Sequence, residues 1–262
     1  MAFAKSAKRG LALLGSAAMM VGFAAPTLAA PAQAADASVN EYYVQVDQNL
    51  LGTIKGSSNY GVIYGPTKVT AAQVQTATGV APADQTVLDV LKTACGADNV
   101  ISGSWGASGS FLTGFNKAGL KKPASISQDD YINAGLATIH NVGVMFSNVN
   151  AGAKNSLTTA EYAGTGGWMF TVNNASAPSV SPYYYSVDDK VADTSKGYGD
   201  QAVIRFEYSL SGGADIGISD SYVPQSLNPD GSFNWNDTAV ISKDIVQRVD
   251  LTQSIRDAAN AQ

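Results

Sequence analysis

Cysteine and histidine are almost absent from this sequence, and their scarcity excludes several kinds of chemistry. The 262 residues contain one cysteine, Cys95, and one histidine, His140. A single cysteine cannot form a disulfide within the chain. One histidine leaves no zinc site with several imidazole ligands, and we also exclude a His-dependent catalytic triad. Because Cys95 falls in an apolar helical pattern, we interpret it as a small buried residue rather than as a nucleophile paired with His140.

Charged residues are also few, and acidic residues outnumber basic ones. The chain has 16 Lys+Arg and 21 Asp+Glu. Lys5, Lys8 and Arg9 are the basic residues of the first thirty-four, which hold no acid, so the remainder carries 13 basic residues and a net charge of −8. Nucleic acids and anionic membranes bind basic surfaces. We therefore expect no nucleic-acid partner and no anionic membrane surface as a partner.

The first thirty-four residues have the pattern of a signal peptide. The three basic residues precede an apolar run, Leu11–Ala25, that is too short to span a bilayer as a stable helix. Ala32-Gln33-Ala34 fits the A-x-A cleavage rule. No long apolar stretch or second basic cluster follows, which argues against an uncleaved anchor. We expect residues 1–34 to be cleaved and the mature chain to be secreted or associated with the cell surface, with no transmembrane segment.

No catalytic or cofactor motif emerges from the remaining residues. The pairs Asp129-Asp130 and Asp188-Asp189 lack the alternating ligand spacing of a calcium loop, and adjacent carboxylates of this kind usually cap helices or face solvent. The sequence has no G-x-G-x-x-G after a predicted strand and no G-x-x-x-x-G-K. We therefore expect a protein that is not an enzyme and that requires no metal or cofactor. A hydrolase with two carboxylates converging in a cleft is kept as a minor alternative.

The first half of the mature chain predicts a hairpin followed by a helix. Tyr42–Asp47 alternates in polarity, and Tyr60–Tyr64 is a second predicted strand that ends at Gly65-Pro66. Thr86-Val87-Leu88-Asp89 has the form of a capping box, which predicts a helix beginning there. The apolar residues of that helix share one face and stop before Gly96: Val87, Val90, Leu91, Ala94 and Cys95.

The second half predicts strands separated by a long insertion. Phe111–Phe115 is a predicted strand, and residues 117–167 are interpreted as the insertion, with a helix beginning near Ser127 and a strand at Val142–Phe146. Trp168–Val172 and Ala202–Leu210 alternate as half-buried strands do. After Ser211 the composition becomes rich in turns, and residues 211–262 are predicted to be a tail or small appendage that ends in a helix.

Three segments in order resemble a known family. They read T-V-L-D-V-L at Thr86–Leu91, G-S-F-L-T-G-F-N at Gly109–Asn116 and G-W-M-F-T-V-N at Gly167–Asn173. This series resembles the transcobalamin-like C-terminal domain family, a small β-grasp-like module of bacterial exported proteins. Tyr183–Val187 and Ala202–Leu210 stand where its closing elements are expected. The insertion between the second and third segments is longer than is typical of the family.

The resemblance and the patterns together predict an α+β fold. We expect a β-grasp-like mixed or antiparallel sheet packed on one main helix, with a large loop insertion and a C-terminal appendage. The expected organisation is a signal peptide at 1–34, a transcobalamin-like domain at 35–210 with its insertion at about 117–167, and the appendage at 211–262.

The function that this resemblance implies is non-enzymatic binding of a ligand, with cobalamin or another corrinoid as the candidate. Aromatic residues would form the walls of such a site: Trp105, Phe111, Trp168, Phe170, Tyr183, Tyr184 and Tyr185. The alternative is an adhesin-like surface protein that binds protein or glycan without chemistry, because tyrosines and Ser/Asn/Gly loops also serve recognition. A concave aromatic site would favour the first hypothesis and a flat exposed patch the second.

Overall fold

This computed structural model describes residues 40–104, 109–175 and 186–262 of the chain. The predicted signal peptide, Trp105 and Tyr183–Tyr185 lie outside these residues. The described α-helices are α1 (Asn49–Lys55), α2 (Ala71–Thr78), α3 (Val87–Cys95), α4 (Gln128–Asn133) and α5 (Thr252–Asn260). The described strands are β1 (Glu41–Asp47), β2 (Val62–Thr70), β3 (Val100–Ser104), β4 (Ser110–Asn116), β5 (Ser156–Thr158), β6 (Gly167–Val172), β7 (Ala202–Ser209), β8 (Ser221–Pro224) and β9 (Thr238–Ile241).

The main sheet has the strand order β2–β1–β7–β6 and is mixed. β1 and β7 are parallel neighbours at its centre, and each has an antiparallel neighbour on its other side. Every residue of β7 is buried, as a central strand covered on both faces requires. Two smaller sheets, β3–β4–β5 and β8–β9, complete the described strands. The predicted α+β class is confirmed.

Helix α3 forms where the capping box predicts it. The Thr86 hydroxyl accepts a hydrogen bond from the Asp89 backbone N–H, and the Asp89 carboxylate accepts one of 2.9 Å from the Thr86 backbone N–H. These bonds satisfy donors that the first turn of a helix leaves unpaired. The helix buries the predicted apolar face, including Leu91 and Cys95, and packs against β1 and β2.

Strand β2 is longer than the sequence predicts. It does not end at Gly65-Pro66 but continues to Thr70, and the β1–β2 pairing becomes irregular between Val44 and Val46. Gly65 has a φ of +80°, and a Cβ on it would overlap the carbonyl oxygen of Val44. The glycine and proline therefore mark a bulge inside the hairpin rather than the end of a strand.

The predicted strand at Val142–Phe146 is wrong, because this segment forms successive turns. The Met145 N–H donates to the Val142 carbonyl at 3.1 Å, and the Ser147 N–H donates to the Val144 carbonyl at 2.8 Å. Val142 and Met145 are nevertheless fully buried. A short apolar run shows only that side chains are buried, and here tight turns bury them without an extended backbone.

The predicted helix near Ser127 is present but short. The Ser127 hydroxyl accepts from the Asp130 N–H in a capping box, as the first residues suggest, and α4 then ends at Asn133. Gly135 follows with a φ of +76°, a conformation that stops a helix. Leu136 is still buried, whereas Ile139 is 65% exposed.

The C-terminal residues cover the second face of the main sheet. Ile255 and Ala259 of α5 pack with Tyr43 of β1 and Val203 of β7 in a small separate cluster. The described residues form one compact unit, so residues 211–262 belong to the same unit as the sheet. The predicted terminal helix is present as α5. None of the described helices has the length and apolar character needed to cross a bilayer.

Candidate functional site

Trp168, a predicted wall of the ligand site, lies in the core. Its side chain is 8% exposed, and its indole Nε1 donates a hydrogen bond of 3.2 Å to the Leu157 carbonyl. The indole packs edge-on against Phe115 and Tyr208, with ring centroids 4.7 and 5.2 Å away. The packing and the hydrogen bond account for this residue structurally, so its role in ligand binding stays a prediction.

Phe111 and Phe170 are both half-buried, but they belong to different sheets. Phe170 of β6 stacks on Phe206 with centroids 4.8 Å apart. Phe111 of β4 lies opposite Gly103 of β3, and a Cβ on Gly103 would overlap its ring. None of the three described members of the predicted aromatic set, Trp168, Phe111 and Phe170, lines the cleft described next. Trp105 and the three tyrosines of that set lie outside the described residues.

The insertion forms a different feature, an open cleft of about 790 Å³. We call it the insertion cleft. Asn59 and Tyr60, after α1, contribute to one part of its wall, and the rest comes from stretches within residues 120–162. Its volume lies in the range of about 300–1,000 Å³ that is usual for small-molecule sites.

A buried ion pair between Lys122 and Glu161 stabilises the lining of this cleft. Their side chains are 12% and 6% exposed, and the Lys122 ammonium donates a hydrogen bond to the Glu161 carboxylate. The same ammonium donates to the Ala153 carbonyl at 2.9 Å and to the Ser156 carbonyl at 2.6 Å. Buried charges need such partners, so this pair holds residues 122, 153–156 and 161 together.

Aromatic and aliphatic side chains line other parts of the cleft. Tyr162 is buried, and its hydroxyl donates a hydrogen bond of 2.6 Å to the Pro123 carbonyl. Burial raises the pKa of Tyr162 above its ordinary value, so the phenol is neutral at physiological pH. Tyr60 and Phe146 are half-buried, while Val149 is 49% exposed. The lining therefore offers apolar surface that solvent can reach.

Two lysines give the cleft a positive rim. Lys121 and Lys154 are exposed and line the cleft. Among the described residues, neither ammonium is within ion-pair distance of a carboxylate. Of the described residues that line the cleft, only Glu161 is acidic, and Lys122 compensates its charge.

The side chains considered as catalytic candidates are buried, exposed on a turn or engaged in ion pairs. Burial raises the pKa of the Cys95 thiol to about 12, so the nucleophilic thiolate is scarce at neutral pH. His140 is exposed on a turn. Asp130 caps α4 and pairs with Lys55 at 2.8 Å, which lowers the pKa of its carboxyl to about 2. Asp189 pairs with Lys196 at 2.6 Å. The described residues contain no cluster of three His, Cys, Asp or Glu side chains suited to a metal ion.

Comparisons of the chain with protein-family models, with curated proteins and with solved structures find no match.

The sequence interpretation missed the lining of the insertion cleft. A signal was present, because Lys117, Lys121 and Lys122 fall within six residues of a chain that is otherwise acidic, and Lys154 follows later in the insertion. The aromatic residues in the predicted strands indicated Trp168 and Phe170 instead, and both pack in or against the core. Which of the four lysines would be buried and which exposed depends on how the insertion folds, so the lysines alone do not identify the site.

Proposed function

We propose that this chain is a non-enzymatic module that binds a small ligand outside the cytoplasm. The insertion cleft is the observation that carries the proposal, because it combines small-molecule volume with accessible apolar walls and a few polar groups. The signal-peptide pattern of residues 1–34 supports an exported location. Cys95 is buried with a raised pKa, and Asp130 caps a helix and pairs with Lys55. These roles favour ligand binding over catalysis.

The proposed fold is β-grasp-like. A parallel central pair, β1 and β7, flanked by antiparallel β2 and β6 and packed on α3, supports this assignment. The segments that carry the family resemblance contribute α3, β4 and β6 to this framework. Residues 117–167 depart from the family pattern and supply most of the cleft lining. A ligand site built by the insertion would therefore be specific to this chain, even if the framework is shared.

A corrinoid is the first ligand to test, because the resemblance implies it and because a flat amphipathic molecule suits an open cleft with apolar walls. The experiment is equilibrium dialysis of the purified protein against cobalamin and cobinamide, followed by the corrinoid absorbance. Ala124 is exposed and lines the cleft, so Ala124→Phe should weaken binding by filling it. Ala72 is exposed on α2 away from the lining, and Ala72→Phe is the matched control.

The outcomes separate the ligand from the site. Saturable binding that Ala124→Phe weakens at least tenfold, with Ala72→Phe unchanged, would support a corrinoid site in the cleft. Binding that both variants leave unchanged would move the site elsewhere. The undescribed Trp105 and Tyr183–Tyr185 would then be the next residues to replace. No binding at high micromolar corrinoid would reject that ligand class.

One feature favours the alternative of an adhesin-like protein that binds protein or glycan. Tyr222 of β8 pairs across the hairpin with Val240 of β9, and the two are 65% and 48% exposed. Trp235, in the β8–β9 connection, is 59% exposed. Exposed aromatic rings of this kind are common in recognition surfaces. Binding to cells or immobilised glycans that Tyr222→Ser abolishes and Ala124→Phe leaves intact would favour this alternative over the cleft.

A further inference from the structure

The hydrogen bonds of Lys122 show that it is not the group that would meet a ligand in the insertion cleft. An ammonium has three N–H donors. Those of Lys122 have three acceptors in the protein: Glu161 and the carbonyls of Ala153 and Ser156. Lys122 therefore has no donor left over, and its charge and that of Glu161 compensate each other inside the lining.

The charge that remains in the lining is positive and accessible. Lys121 and Lys154 both face solvent at the cleft, and no described carboxylate pairs with either of them. The chain as a whole carries a formal net charge of −5. An anion that approaches this protein would therefore be repelled by its net negative charge and attracted by the two lysines at this opening.

The walls next to these lysines are apolar enough to bind the body of a ligand. Leu120 and Phe146 are half-buried, and Val149 remains 49% exposed at the cleft. Covering such side chains with an apolar group removes hydrocarbon surface from water, which is favourable by roughly 25 cal/mol per Å². An anion without an apolar part would leave this surface exposed.

We propose that the insertion cleft binds an amphipathic anion, with its apolar part against Phe146 and Val149 and its acidic group between Lys121 and Lys154. The acidic group can be a carboxylate, sulfonate or phosphate, since an ammonium recognises each as a point charge. This inference rests on the proposed function, because it names the ligand class of the same site. Because both lysines are exposed, their contribution is modest and is screened by salt.

A matched pair of fluorescent probes tests the charge separately from the apolar cleft. One is 8-anilino-1-naphthalenesulfonate, and the other is N-phenyl-1-naphthylamine, which has the same ring system without the sulfonate. Titration of the full chain at low salt should give a dissociation constant at least fivefold lower for the sulfonate. Lys121→Gln/Lys154→Gln should remove this preference, as should about 1 M salt, which shortens the screening length to about 3 Å.

The control double variant is Lys190→Gln/Lys243→Gln, which changes the net charge equally at exposed sites outside the cleft lining. It should keep the preference for the sulfonate. Equal binding of both probes, or a preference that Lys121→Gln/Lys154→Gln leaves unchanged, would overturn the anion inference. In that case the cleft would remain the proposed ligand site if Ala124→Phe weakened the binding of both probes. No saturable binding of either probe, or binding that Ala124→Phe does not affect, would overturn the insertion cleft as the ligand site, and the anion inference with it.

Discussion

The guanidinium of Arg248 donates a hydrogen bond of 2.6 Å to the carboxylate of Glu207, which joins the C-terminal residues to the central strand β7. The other Glu207 oxygen lies 3.0 Å from Arg205, and Arg205 is 2.8 Å from Asp47 of β1. Two carboxylates and two guanidiniums therefore alternate on the buried second face of the sheet. Arg248 also donates to the Ile216 carbonyl at 2.9 Å, so it fixes a loop as well as a strand.

Replacing Arg248 should destabilise the fold strongly. The Glu207 carboxylate is 6% exposed, and removing Arg248 leaves it with one cationic partner instead of two. Breaking a buried ion pair by deleting one partner typically costs about 3–5 kcal/mol. We expect about 3 kcal/mol for Arg248→Ala, the lower end, because Arg205 remains. Urea unfolding followed by circular dichroism measures this free energy.

The exposed pair Lys190–Asp84 is the control for that experiment. Its atoms are 2.7 Å apart, nearly as close as the 2.6 Å between Arg248 and Glu207, but the two side chains are 58% and 63% exposed. Exposed ion pairs contribute about 0–1 kcal/mol. Lys190→Ala should therefore change the free energy of unfolding by less than about 1 kcal/mol. Equal effects of Lys190→Ala and Arg248→Ala would show that burial of the network does not increase its contribution to the free energy of unfolding.

Asp215 should make the stability depend on pH in a characteristic direction. This fully buried carboxylate accepts hydrogen bonds from the Leu210 N–H at 2.9 Å and the Tyr131 hydroxyl at 3.2 Å. Burial raises the pKa of Asp215 despite these bonds. Between its ordinary pKa and the raised pKa the folded state holds a proton that the unfolded state has released. The stability contributed by Asp215 is therefore complete below the ordinary pKa and is lost as pH rises through the folded one.

Asp215→Asn cannot titrate, so the difference in free energy of unfolding between wild type and variant isolates this effect. The difference should shift in favour of the variant as pH rises above about 4, the ordinary pKa of an aspartate. Asp130→Asn is a control with the opposite sign. Because Lys55 lowers the pKa of Asp130 to about 2, wild type should lose its advantage over that variant as pH falls from about 4 to 2. If the difference in free energy of unfolding between wild type and Asp215→Asn did not change with pH, the raised pKa of Asp215 would be contradicted.

The sequence predicts the local parts of the fold better than the parts that depend on distant residues. The α3 cap needs only Thr86 and Asp89, three positions apart, and it forms as predicted. The β2 bulge needs Gly65 to pass close to Val44, a contact that spacing along the chain does not reveal. The burial of Arg205 likewise depends on Arg248, more than forty residues later, which covers the second face of the sheet.

The same distinction explains what was predicted of the candidate site. Aromatic residues in alternating strands indicate a buried face, and Trp168 and Phe170 do pack with the core. Alternation does not distinguish a core face from a ligand-binding face, so it could not locate the cleft. The cleft depends on turns in the insertion and on the pairing of Lys122 with Glu161, thirty-nine positions away. Those contacts follow from the folded insertion and have no short-range pattern.

Cys95 should be unreactive until the protein unfolds. Its side chain is 6% exposed, and burial raises the pKa of its thiol to about 12. At pH 8 the thiolate would be roughly one part in ten thousand. Ellman's reagent should therefore detect almost no thiol in native buffer and one thiol per chain in concentrated urea. Ser58→Cys adds an exposed thiol that should react at once, and equally fast reaction of Cys95 in the folded wild type would contradict its burial.

Trp168→Ala should lower the free energy of unfolding by about 3–5 kcal/mol, the usual cost of truncating a buried tryptophan. The variant removes the contacts with Phe115 and Tyr208 and leaves the Leu157 carbonyl without its indole donor. Trp235→Ala, at a side chain that is 59% exposed, should cost less than about 1 kcal/mol. Urea unfolding of both variants separates the two roles considered for Trp168. A Trp168→Ala protein as stable as wild type, but deficient in corrinoid binding, would assign the indole to a ligand site instead of the core.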